Sequence, residues 1–293
     1  MKKRYFGSTI IALGVALAFI ALIGFSVCVS EALSAMTGIE AHEKYIYPVV
    51  RVTYGRTGGS GTIIYSKTKD MEKFIYSTYI LTNYHVIADA ISIEEKWDSD
   101  LAKQVKKEKR SIIYVETFKY RNLSTPVGTL KVEADIVIYN QDEDMALIKL
   151  RSEEQAQYIA TLFLANTYNV MDETVAVGCS LGFPPLPTVG HITRKDFQID
   201  SLPFDMSSSQ IIYGNSGGAM FLAETGELIG IPSLVVAIGW GSPISHMGLF
   251  IPIKRICEWF EEEHYSFLYD VSETEKDCLE AREKEIEAKK NKE

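Results

Sequence analysis

From Tyr45 to about Phe260 the chain is a succession of short apolar runs, each broken by Gly, Asn, Asp or Pro. Tyr47–Val52, Gly61–Tyr65, Phe74–Leu81 and Ser111–Val115 are such runs. Ala134–Tyr139, Ala146–Leu150, Val175–Gly178 and Leu228–Ile231 continue the pattern. All are rich in β-branched and aromatic residues, which suit a pleated, half-buried surface. No long helical periodicity alternates with them, so a doubly wound parallel sheet is excluded and an all-β sandwich or barrel is expected. A stretch of about 216 residues suits two small barrels.

Three segments depart from this pattern. Residues 5–29 carry no charge and follow Lys2, Lys3 and Arg4. At about 1.5 Å of rise per residue, some 20 apolar residues cross the hydrocarbon core, so 5–29 is expected to be a transmembrane signal anchor. Lys2, Lys3 and Arg4 make residues 1–4 its cytoplasmic flank, while Glu31, Glu40 and Glu43 follow the span. By the positive-inside rule the rest of the chain then lies outside the cytoplasm, with 30–44 as a linker. A cleaved signal, cut near Ala32-Leu33-Ser34 to give a secreted protein, is the alternative. A buried core helix is a third reading, although it would need no Lys/Arg cluster at one end. The second segment, Ile93–Arg110, holds Lys103, Lys106, Lys107, Lys109 and Arg110 and reads as a solvated helix or hairpin. The third is the charged stretch 261–293, expected to be a helical or disordered tail, because 15 of the 24 residues from Asp270 onward are charged.

The composition narrows function. Thirty basic against 39 acidic side chains give a formal charge of −9, which argues against a nucleic-acid partner. Four scattered cysteines without a CxxC pair offer neither a disulfide framework nor a zinc site, so no metal and no cofactor are expected.

One constellation carries chemistry. Gly214-Asn215-Ser216-Gly217-Gly218 sets a serine in a glycine-flanked turn. Glycine permits sterically difficult backbone angles and close approach of a substrate. The N–H groups of Gly214 and Ser216, on either side of Asn215, then become candidates for an oxyanion hole. Alone, the same five residues also suit an ordinary tight turn. Serine needs a base to take its proton. His85, in Leu81-Thr82-Asn83-Tyr84-His85-Val86, sits at the end of a strong strand where a side chain can face a cleft. Asp144, at the mouth of the apolar run Met145–Leu150, is a candidate to hold the imidazole tautomer. The order His85, Asp144, Ser216 is the chymotrypsin order of triads, unlike those of subtilisin or the α/β-hydrolases.

Those stretches, with Gly59-Ser60-Gly61-Thr62-Ile63-Ile64, Gly226–Ile231 and Gly248–Pro252, resemble the trypsin-like peptidases of the HtrA/Deg type. The resemblance implies an all-β fold of two six-stranded antiparallel β-barrels, chymotrypsin-like, over residues 45–260, with the active cleft between them. It implies His85 as general base, Asp144 as its partner, Ser216 as nucleophile and Gly214, Asn215 and Ser216 as the oxyanion turn. Ser233 is similar in position to the family serine that supports the aspartate. The expected function is a membrane-anchored serine endopeptidase acting on proteins or peptides through an acyl-enzyme, at a pH near or above neutral because His85 must be neutral to accept a proton. Relatives often form trimers, so a homo-oligomer is a further expected partner.

The departures bear on regulation and specificity. Val86 stands where digestive trypsins carry a cysteine, and Asn215 where zymogen-activated relatives carry an aspartate, so activation by N-terminal trimming is not expected. Most of the residues after Ile253 are charged, and no PDZ domain is expected there. The approach from Asp200 to Tyr213 differs from the family's. It leaves Gln210, Ile211 and Ile212, with Ser233 and Leu234, as candidate substrate-pocket residues of apolar character. The unusual approach also sustains a competing reading, a protease-fold binding or scaffold protein with little turnover.

Overall fold

The protein is seen in a computed structural model that describes residues 38–290 apart from 71, 99–102, 124, 166 and 239–241. The expected anchor at 5–29, its flank 1–4 and linker residues 30–37 lie outside the described residues. Among those described, no helix is long and apolar enough to cross a membrane.

Fourteen strands are described. In chain order, β1 (Val49–Tyr54), β2 (Thr57–Asp70) and β3 (Ile75–Thr82) are followed by β4 (Ile91–Asp98) and β5 (Lys103–Arg110). Next come β6 (Ile113–Arg121), β7 (Thr125–Asn140) and β8 (Met145–Leu150). The second half contributes β9 (Glu173–Gly178), β10 (Leu186–Ile199), β11 (Leu202–Ser207), β12 (Ala219–Leu222), β13 (Leu228–Ile238) and β14 (Ser242–Pro252).

The strands form two six-stranded antiparallel sheets, each closed on itself. The first runs β1-β2-β3-β8-β7-β6 and returns to β1, and the second runs β10-β11-β14-β13-β12-β9 and returns to β10. Closure leaves neither of these two sheets an open edge. Inward-facing Val50, Val52, Ile80, Ile113, Val115 and Ile148 fill the first barrel. Phe221, Leu228, Ile229, Ile231 and Phe250 are buried in the second. The stretches Gly226–Ile231 and Gly248–Pro252 lie on neighbouring strands, with Gly230 opposite Pro252 and Ile231 opposite Ile251.

The charged segment Ile93–Arg110 belongs to a hairpin, β4–β5, and not to a helix. Its register sets Glu94 opposite Lys107 and Ser92 opposite Lys109, and Lys109 reaches Glu94 at 2.7 Å. Cross-strand opposite charges support a solvated ribbon that a helical period would not pair in this way.

The C-terminal segment is helical and closely attached. Helix α1 (Ile253–Glu262) runs across the boundary expected at 260, burying Ile256, Trp259 and Phe260. A 3₁₀ turn at Ser266–Leu268 leads to α2 (Glu275–Lys290). Tyr265, Phe267, Leu268 and Cys278 are buried. The Phe267 ring meets Tyr65 and Tyr79 of the first barrel edge-on, at 5.3 and 5.6 Å between centroids. Glu275 accepts from Lys149 Nζ at 2.7 Å and Tyr79 Oη at 2.8 Å. The charged tail therefore shares the first barrel's apolar surface through a few aromatic residues at its start.

Candidate active site

His85 follows β3 in a single helical turn, Tyr84–Ile87, after Asn83 in extended conformation. Val86 and Ile87 are buried in the first barrel, which turns the exposed His85 outward. Asp144 closes the turn between β7 and β8 with φ at +56°, a left-handed conformation that Asp tolerates better than most residues. Asn83 Nδ2 donates to the Asp144 carbonyl at 2.8 Å. The His85 backbone N–H donates to Asp144 Oδ1 at 2.9 Å, and the ring Nδ1 lies 2.9 Å from both carboxylate oxygens. Ser233 Oγ, from β13 of the second barrel, donates to Asp144 Oδ2 at 2.6 Å. The carboxylate is thus gripped from both barrels. A proton on Nδ1 shared with it leaves Nε2 with a lone pair.

The serine turn is held by its carbonyls. The Asn215 N–H donates to the Ile212 carbonyl at 3.1 Å, closing a turn in which Gly214, at φ +97°, takes the position that demands a positive angle. The Tyr213 carbonyl accepts the Leu181 N–H at 2.8 Å, the Gly214 carbonyl accepts Ser60 Oγ at 2.6 Å, and the Ser216 carbonyl accepts the Ser60 N–H at 2.8 Å. Asn215 Oδ1 accepts from Ser180 Oγ at 2.6 Å. A trans peptide points its N–H opposite to its C=O. With the Tyr213 carbonyl turned to Leu181, the Gly214 N–H faces away from that loop. Among the described residues, neither the Gly214 nor the Ser216 N–H has an acceptor. Gly217, at φ +77°, has no room for a side chain, since a Cβ there would lie 2.2 Å from Thr82 Oγ1.

His85, Asp144 and Ser216 line one cleft of about 900 Å³, together with Ile211, Ile212, Ser233 and Leu234. No hydrogen bond joins the Ser216 hydroxyl to the imidazole among the described residues; such bonds are often long before substrate binds. Gln210 is exposed and does not line the cleft, and its carbonyl accepts from Thr188 Oγ1 at 2.9 Å. Ile199, Leu202 and Phe204 do line it, and sequence reasoning missed them. They lie on the β10–β11 hairpin, whose two-residue turn has Asp200 and Ser201 at φ +49° and +68°. Two consecutive residues of positive φ are the mark of a type I′ hairpin. An Asp-Ser pair is a weaker signal of that turn than Asn-Gly, so the sequence alone does not mark the apolar residues flanking it as facing one another across a hairpin. Ser60 and Ser180 were missed as well: Ser60 bonds to Gly214 and Cys179, 154 and 119 residues away, and Ser180 to Asn215, 35 residues away, pairings that only folding sets. No group of His, Cys, Asp and Glu side chains is placed to hold a metal ion among the described residues.

Two closed barrels with a histidine–aspartate pair facing a glycine-bound serine define the class. The family described as Trypsin-like peptidase domain matches residues 59–231, more than half of the chain, and the chain belongs to that family. Its relatives are serine proteases of the HtrA type. The Serine protease Do-like HtrA of Lactococcus lactis subsp. lactis (strain IL1403) is 27% identical over 211 residues, 68% of this chain and 42% of that protein. The Periplasmic pH-dependent serine endoprotease DegQ of Escherichia coli (strain K12) is 32% identical over 114 residues, covering 38% of this chain and 25% of that protein. The chain thus matches less than half the length of these curated relatives. Among solved structures, the HtrA-type protease AlgW with a tripeptide superposes with a TM-score of 0.56 at 21% identity, covering 76% of this chain and 62% of that chain. Deg5 does so at 0.53 and 20%, covering 75% and 90%. These last two likenesses concern the fold.

Proposed function

We propose that this chain is a serine endopeptidase that cleaves peptide bonds through an acyl-enzyme, with His85, Asp144 and Ser216 as its triad. The observation that carries the reading is the Ser233–Asp144–His85 chain of hydrogen bonds opening on the cleft that Ser216 lines. Ser216 Oγ attacks the scissile carbonyl while His85 Nε2 takes its proton. Asp144 keeps Nδ1 protonated and stabilises the imidazolium. The developing oxyanion is received by the N–H groups of Gly214 and Ser216, which have no competing acceptor. His85 then protonates the leaving amine, and water enters by the reverse path to release the acid. Ile211, Ile212 and Leu234 favour an apolar side chain on the acyl residue.

The extracytoplasmic location with an anchor at 5–29 rests on the uncharged span behind Lys2, Lys3 and Arg4 and on relatives named as periplasmic. Protein or peptide substrates, and a homo-oligomer as a partner, follow the family. The missing Ser216–His85 bond favours a second reading, a binding or scaffold protein on a protease fold. Labelling of the folded full chain with a fluorophosphonate separates them. An adduct on Ser216, absent in Ser216→Ala and weakened in His85→Ala, is expected; no adduct on the wild type would sink the peptidase reading.

A further inference from the structure

Beside the cleft lies a second recess of about 370 Å³, between the β1–β2 hairpin of the first barrel and the oxyanion turn of the second. Tyr213 lines both spaces, and Gly214 lines the recess. A Cβ on Gly59, also in its wall, would lie 2.9 Å from the Ser216 carbonyl and 2.7 Å from Val86, the neighbour of His85. The recess therefore begins immediately next to the reacting groups, on the far side of Gly214 from the apolar cleft.

Its charge is one-sided. Arg51 and Arg56 line it and no acidic residue does. Arg51 is already engaged, since its guanidinium donates to the Gly182 carbonyl and to Glu116. That ties β1 to the Ser180–Gly182 loop, which in turn holds the Tyr213 carbonyl. Arg56 is different. It sits exposed in the two-residue turn between Tyr54 and Thr57 and has no ion pair among the described residues. At the other end the cleft is lined by Asp142 and Asp200, both exposed and likewise without an ion pair among the described residues. An acidic chain thus places an unpaired cation on one side of its serine and unpaired acids on the other.

A substrate whose acyl residue fills the apolar cleft and whose carbonyl oxygen meets Gly214 N–H must continue past Gly214. We infer that the recess receives the leaving-group side of the substrate and that Arg56 selects an acidic side chain there, within the first few residues after the scissile bond. This inference rests on the peptidase reading. The polarity of Asp142 and Asp200 disfavours acidic residues before that bond, so the cleft distinguishes the two directions of a charged segment.

The test uses internally quenched peptides with one apolar acyl segment, differing only in Glu, Gln or Lys at each of the three positions after the scissile bond. The readout is the ratio of kcat/KM for the Glu and Gln peptides within each enzyme. In the wild type a preference for Glu of about three- to fivefold is expected at low salt, shrinking as salt is raised. In Arg56→Gln the ratio falls to one, and in Arg56→Glu it falls below one while the Lys peptide is cleaved faster than the Gln peptide. Peptides cleaved without charge preference, or a preference that survives in Arg56→Glu, would overturn the inference while leaving the peptidase reading intact. A wild type that neither cleaves nor takes the fluorophosphonate on Ser216 removes both.

Discussion

The Leu181 N–H donates to the Tyr213 carbonyl at 2.8 Å, and this bond decides which way the Tyr213–Gly214 peptide faces. Rotating that peptide would break the bond and remove the Gly214 N–H from the oxyanion position proposed for it. A substitution at Gly214 forces such a change twice over: φ is +97°, and a Cβ would lie 2.5 Å from the Cys179 carbonyl and 2.8 Å from the Leu181 nitrogen. Gly214→Ala is expected to lower kcat by about 10²–10³-fold, the cost of losing one oxyanion donor. Circular dichroism should show the barrels intact, and peptide kinetics should show the loss in kcat.

Mutagenesis separates the role proposed for the Asp144 carboxylate from the support that Ser233 gives it. Asp144→Asn keeps the size of the group and removes its charge, so the imidazole loses the partner that fixes its tautomer. A loss of about 10⁴-fold in kcat is expected. Ser233→Ala removes only the 2.6 Å bond that holds Asp144 Oδ2. Losing one charge-assisted hydrogen bond should cost about tenfold in kcat/KM. Steady-state assays on one peptide rank the two variants. Equal losses would contradict the supporting role given to Ser233.

On the proposed peptidase reading, the apolar wall sets acyl-side preference. Ile212→Asp introduces a carboxylate beside Ile211 and Leu234. Cleavage after Leu or Val is expected to fall by about tenfold or more, with a relative gain for Lys or Arg at that position. A peptide library digested with both enzymes and read by mass spectrometry checks the shift.

The attachment of α2 is expected to depend on pH through Glu275. Burial opposes its ionisation, but the Lys149 ammonium and the Tyr79 hydroxyl outweigh that and hold the carboxyl below its usual range. A carboxyl with a folded-state pKa below its unfolded value, about 4.3, stabilises the fold above that value. The contribution is lost as pH falls through the folded-state pKa. Glu275→Gln should therefore destabilise the protein by about 1–3 kcal/mol at pH 7, where Lys149 loses its partner. The gap between variant and wild type should narrow once the pH drops well below 4. Urea unfolding at pH 7 and pH 3 measures both; a gap independent of pH would contradict it.

Much of the candidate site was legible because its residue types lie close together in the sequence. Leu81–Val86 and Gly214–Gly218 carry their residue types within a few positions, and the runs around Val50, Ile80, Ile148 and Val177 are short and apolar enough, between turn residues, to mark strands. The hairpin β4–β5 was not separable from a helix, because Glu94 and Lys109 are recognised as partners only when the register is known. Long-range ties such as Ser60 to Gly214, or Arg51 to Gly182, join residues that no periodicity connects. Tyr265, Phe267 and Leu268 fall in a short stretch without repeat, next to a strongly charged one. Their burial depends on the aromatic face of another barrel, which residues 261–293 do not disclose.

That docking has a consequence in time. Tyr79 lies on the strand that leads into His85, yet it bonds to Glu275, 196 residues further along the chain. During synthesis the first barrel emerges early, with Tyr65 and Tyr79 still uncovered, and must wait for Tyr265, Phe267 and α2 to be translated and folded back. Contacts of such separation are slow to form. A nascent chain therefore carries its histidine and aspartate on an unsealed barrel until Phe267 and Glu275 have been made and folded back onto it.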